Sequence, residues 1–229
     1  PPMLQMSTDD GSYPENCVIH SPGAAFLLSS KNLPQLLVEL RKTPTVAAMQ
    51  TAPGLAHGLG EKEVKALCLA VCDGVLLSLR SNLDEELQEA SLEAFLTLCP
   101  VMSVRKLSEL GPSLVEQLLK ASTRGIDVAL VAASASKALI SRVDAVTALS
   151  LILSHLPEVD SRPPFDGDRA KIVLSVIKML ESAISNVKSE ELMAVVESIM
   201  PSLAYCYSSA NADIRKTSVG CIVKMHQII

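Results

Sequence analysis

Two nearly identical phrases lie far apart in this chain, Leu110-Gly-Pro112-Ser-Leu114 and Ile199-Met-Pro201-Ser-Leu203. Between them sits Pro157, 45 residues after Pro112 and 44 before Pro201, and it too is followed two positions on by an aliphatic residue, Val159. Each proline precedes a polar turn and then a helical pattern that opens near an aspartate: Asp127, Asp168, Asp213. A proline normally bends or ends a helix, and a first helix that tolerates such a bend at a fixed period is a repeat signature. Recurrence at about 40–47 residues marks stacked helix pairs, because one pair cannot bury its apolar face alone and must cover it with the next. The period therefore constrains the chain to an all-α solenoid.

The last forty residues show one such unit. Glu190-Glu191 opens a helical pattern with Leu192, Val195, Val196, Ile199, Leu203 and Cys206 on one face, expected to run over 189–207. Ser208-Ser-Ala-Asn211 interrupts it, and Asn211 is suited to cap the next helix, 211–228. That helix carries Ile214, Cys221, Ile222, Met225 and Ile229 on one side and a second apolar stripe at Val219 and Val223, which predicts packing on both flanks.

Upstream, helical periodicity predicts elements at about 32–42, 46–50, 61–80, 84–98, 103–121, 126–140, 144–156 and 168–184, with a glycine-rich turn from Gly54 to Gly60. Most linkers are short, as stacked helices require. The exception is 157–167, containing Ser161-Arg-Pro-Pro-Phe165, which reads equally as a functional loop or a tolerated insertion. Residues 1–30 lack any sustained period and are expected to form an extended tail, with His20-Ser21-Pro22 as a phosphosite motif of low specificity; residues 31–229 are expected to form one domain of about four to five HEAT-type helix pairs. Hydrophobic residues make up 48% of the chain but aromatics only 3%, a balance that suits close helix packing better than a β-sandwich.

Charge and cysteine content narrow the function classes. The net charge of −5 argues against a nucleic-acid surface, which needs a concentrated positive field. Glu61 to Pro100 holds eight acids against three bases, while 161–229 holds seven against eight, an asymmetry that solvated helix faces also produce. The six cysteines include no Cys-x-x-Cys and no nearby histidine to complete a metal set, so buried thiols in a reducing compartment are expected, with no metal and no cofactor. No apolar run is long enough to span a bilayer, so no membrane insertion is expected. Gly54-Leu-Ala-His57-Gly58-Leu-Gly60 lacks phosphate-loop spacing, and the four histidines fall on separate elements. Asp84-Glu85-Glu86 sits where a helix dipole stabilises acids. Nothing here assembles a catalytic constellation.

The closing unit carries a resemblance. Ile199-Met-Pro201-x-Leu203, the turn, and Arg215-Lys216-x-x-Val219-x-Cys221 resemble the closing HEAT repeat of TOG-type domains, and more closely the C-terminal domain of the CLASP family of microtubule plus-end regulators. Asp127-Val-Ala-Leu-Val-Ala-Ala-Ser-Ala is similar to a preceding repeat of that domain. The resemblance implies a non-enzymatic module in the cytoplasm and cytoskeleton (microtubule plus ends, spindle, kinetochore). Its implied partners are proteins: CLIP-type plus-end trackers, a kinetochore kinesin, and cortical or Golgi adaptors. Tubulin-binding TOG domains place a tryptophan on their first tubulin-facing loop; this chain has none, and its loop Ser81-Asn-Leu-Asp84-Glu-Glu86 is acidic, as is tubulin. Adaptor docking is therefore preferred over direct tubulin binding, with a HEAT scaffold unrelated to microtubules as a further alternative. The basic residues nearest the loops are Arg124, Arg169, Arg215 and Lys216, the candidate partner surface, although Arg215 suits a role in capping or bridging helices better than one in partner contact.

Overall fold

The computed structural model describes residues 33–81, 84–159 and 165–229; the expected tail and its Ser-Pro motif lie outside them. Eleven α-helices follow one another with no strand among the described residues: α1 (Leu33–Lys42), α2 (Val46–Ala56), α3 (Glu61–Arg80), α4 (Glu85–Leu98), α5 (Val104–Ala121), α6 (Ile126–Arg142), α7 (Ala145–Leu153), α8 (Gly167–Ile184), α9 (Ser189–Met193), α10 (Val196–Tyr207) and α11 (Ala212–Ile228). They form five antiparallel pairs, giving the all-α solenoid that the period demands. One row, A, contains α1, α3, α5, α7 and α9–α10; the other, B, contains α2, α4, α6, α8 and α11, and in row B each helix packs on the next.

Side chains set this stacking. Half of α3 is buried, including Leu67, Val71 and Val75, because it meets α1 before it, α5 after it and α4 across the pair. Several hydrogen bonds between successive units span 40 to 48 residues: Gly125 N–H to Glu85 Oε1, Arg142 Nη2 to the Met102 carbonyl, Cys221 Sγ to the Ile177 carbonyl and Ser202 Oγ to the Pro157 carbonyl among them. Local rules fix the ends. Thr45, Asp84, Asp144 and Asn211 each accept a hydrogen bond from the first turn of the helix they cap. Asp127, Asp168 and Asp213 all fall at the second position of a B helix, α6, α8 and α11, where the helix dipole favours an acid.

The structure departs from the periodicity in four places. The expected helix 189–207 breaks at Ala194-Val195 into α9 and α10. The expected glycine-rich turn begins later, since α2 continues through Pro53 to Ala56. Pro112 and Pro201 lie inside α5 and α10, whereas Pro157 follows α7. On α11, which packs on both α8 and α10, Ile214, Cys221 and Met225 are buried, but Val219 is 40% and Val223 48% exposed, so the second stripe stays largely open to solvent. Ile229 is exposed as well.

The thiols of Cys68, Cys72, Cys99, Cys206 and Cys221 are free and buried. Burial pushes Cys72 and Cys221 up to about 12 and Cys99 and Cys206 up to about 11, from 9.0. The thiolate is the reactive species, so all five should resist a disulfide reagent near pH 8 until denaturant is added. A thiol titration of the native chain showing more than one fast-reacting group of its six would contradict this placement. The sign for stability follows: the folded state keeps these protons after the unfolded thiols ionise near 9, so this contribution is full below pH 9 and is lost as pH rises toward 12.

Gln88 on α4 is buried, and neither its Oε1 nor its Nε2 has a hydrogen-bond partner among the described residues; Ser91 Oγ, one turn on, has none either. A buried amide left unpaired costs about 1–3 kcal/mol. Gln88→Leu is therefore expected to raise the urea midpoint, and a lowered midpoint would mean that the amide is satisfied.

Candidate functional site

Stacking antiparallel pairs sends every within-pair turn to one edge of the array. Arg124 lies in the turn between α5 and α6, Arg169 in the first turn of α8, and Arg215 and Lys216 in the first turns of α11, so all four predicted residues fall on this edge. Their surroundings differ. The Arg169 guanidinium stands 5.5 Å over the ring of Phe165, which is buried and packs edge-on against Tyr205 at 5.2 Å. Arg215 Nη1 donates to the carbonyls of Ser209 (2.8 Å) and Ala210 (2.7 Å), tying down the turn before its own helix. Lys216 is exposed. Arg124 is half-buried at the mouth of a groove.

That groove, about 910 Å³, runs between α6 and α8 and reaches α11. Ile126, Leu130, Ala133 and Lys137 line one wall at helical spacing; Lys171, Leu174, Lys178 and Ser182 line the other. Ile126 is 75% and Leu130 63% exposed, although large aliphatic side chains on a B helix usually face the core. The walls carry five cations, Arg124, Lys137, Lys171, Lys178 and Lys224, against one carboxylate, Glu181, in a chain that is acidic overall. Lys224 pairs with Glu181 at 3.0 Å and Lys171 with Asp168 at 3.3 Å. The side chains of Arg124, Lys137 and Lys178 have no partner among the described residues. A concave wall with an apolar floor concentrates the field of such charges.

Of the predicted residues, only Arg124 belongs to this groove. The other lining residues come from three helices far apart in sequence. The available signal was on α6, which is apolar beyond the stripe of Val128, Ala132, Ala135 and Leu139 that it buries. Among the described residues no cluster of three His, Cys, Asp or Glu is placed to hold a metal ion, and no helix is long and apolar enough to cross a membrane.

No family model matches the chain. It resembles a designed armadillo repeat protein solved in complex with the peptide (KR)4 at a TM-score of 0.46 and 16% identity, over 88% of this chain and 85% of that one. It also resembles an engineered protein solved by a structural genomics consortium, with a TM-score of 0.49 and 16% identity over 86% and 81% of the two chains. In sequence it is 26% identical over 187 residues to Protein CLASP-3 of Caenorhabditis elegans, and equally to Protein CLASP-3 of Caenorhabditis briggsae. Each alignment covers 72% of this chain and 18% of the relative, so the chain is a helical-repeat array similar to a segment under a fifth as long as the curated relatives it matches.

Proposed function

We propose that this chain is a non-enzymatic protein-docking module of a CLASP-like, microtubule-associated protein. In this reading it attaches plus-end trackers of the CLIP type, a kinetochore kinesin, or cortical or Golgi adaptors, and so acts at microtubule ends, the spindle and the kinetochore. The observation that carries the reading is the likeness to CLASP-3 proteins, which extends over 72% of this chain rather than over one motif. A pre-ordered stack suits docking because its recognition surface loses little conformational entropy on binding. The absence of tryptophan and the acids Asp84, Glu85 and Glu86 at the loop edge favour adaptor proteins over tubulin. Within the predicted edge, Arg124, Arg169 and Lys216 are the proposed contacts, while Arg215 holds its turn.

Two measurements test this. The 229-residue chain, immobilised and exposed to cell extract, is expected to retain microtubule plus-end proteins identified by mass spectrometry. On size-exclusion chromatography with free tubulin it is expected to elute alone. A stable tubulin complex would replace the adaptor reading with that of a divergent TOG domain. Recovery of proteins with no microtubule association would leave a HEAT scaffold of another kind.

A further inference from the structure

The geometry points to the α6–α8 groove as the docking site for an acidic polypeptide segment that carries aliphatic side chains. This rests on the protein-docking reading above and adds to it the place and the chemistry of the ligand. Three features converge. First, Ile126 and Leu130 project from a B helix while remaining 75% and 63% exposed, an apolar patch that covering would stabilise. Second, cations frame that patch: Arg124 and Lys171 at the loop edge, Lys137 and Lys178 further along, and Lys224 at the far end. Third, Arg124, Lys137 and Lys178 have no side-chain partner among the described residues, so the charge is not spent within the fold. An occupant with leucine- or isoleucine-like groups between carboxylates matches all three.

Other anionic macromolecules match less well. Single-stranded nucleic acid binds on aromatic stacking platforms, and no aromatic residue lines the groove. A membrane surface is flat, whereas the cations here face one another across a depression. Size is suitable: α6, at 1.5 Å per residue, is roughly 25 Å long, the span of about eight extended residues.

Selection from a random peptide library of about twelve residues against the immobilised 229-residue chain tests the assignment without a known ligand. The enriched peptides are expected to combine Asp or Glu with Leu or Ile. By fluorescence polarisation, the best of them should bind about tenfold more weakly to the double variant Lys137→Glu/Lys178→Glu and to Leu130→Asp. Raising salt to about 1 M should remove most of the binding, because screening then acts within about 3 Å. All three substituted positions are exposed, so circular dichroism and melting should match the parent chain. Enrichment of basic or charge-free peptides would overturn the assignment. So would full binding to both variants, or tighter binding of a single-stranded oligonucleotide or phosphatidylserine vesicles through the same lysines. If peptides bind but ignore the variants, docking stands and the groove falls. If nothing is enriched and extract yields no partner, the docking reading itself falls.

Discussion

Phe95→Ala is expected to cost about 3–5 kcal/mol of stability, the usual range for removing a fully buried aromatic side chain. Phe95 is 0% exposed on α4, the B helix that touches α2 before it, α6 after it and α3 across the pair. Truncation there leaves a cavity that three neighbours would have to collapse into, and each is already held by its own pair. Because a solenoid is stabilised by interfaces between adjacent units, a defect in the second pair should weaken its coupling to both sides. Urea denaturation is expected to show a much lower midpoint and a broader transition than that of the parent chain. A loss below about 1 kcal/mol would place the ring outside the core.

Gly74→Ala has the second largest expected effect, and it acts at one end. A β-carbon on Gly74 would lie 2.3 Å from Met49 Cε and 2.6 Å from the Leu40 carbonyl oxygen. The methionine tip can swing aside; the carbonyl cannot move unless α1 moves with it. Alanine gains about 1 kcal/mol in helix propensity, but overpacking against backbone costs about 1–3 kcal/mol and occasionally more. A net loss is expected, localised to α1 and α2. Hydrogen exchange should accelerate in those helices and stay unchanged in α8 to α11. Gly111→Ala is the control, because there the nearest atoms, at 2.8 and 3.1 Å, are the methyl ends of Leu151. It should cost far less, and equal losses at the two sites would mean that the α1–α3 approach is looser than described.

The array was legible because each pair repeats the same compromise between helix period and neighbour. The spacing predicts a helix at 61–80, and the structure has Glu61–Arg80; it makes Asn211 a cap, and its Oδ1 accepts from the Asp213 and Ile214 amides. The break at Ala194-Val195 was hidden because Leu192, Val195, Val196 and Ile199 keep a helical period across it and neither glycine nor proline marks it. The Val219–Val223 stripe misled for a related reason: periodicity reports that a face is apolar, not that a neighbour exists to cover it. The groove was the least legible part. Lys137, Lys178 and Lys224 each look like ordinary solvated helix residues, and only the lateral packing of α6, α8 and α11 sets them around one depression.

The junction of the fourth and fifth pairs is built differently in its two rows. In row B, α11 lies directly on α8, as every B helix lies on its predecessor. In row A, α10 meets the segment after α7 through the Ser202–Pro157 hydrogen bond and the Phe165–Tyr205 ring contact. Among the described residues, one side of this joint is a broad helix seam and the other joins a helix to an irregular segment by side-chain contacts. The last pair is thus carried on a continuous helix seam in row B and clipped through side chains to an irregular segment in row A.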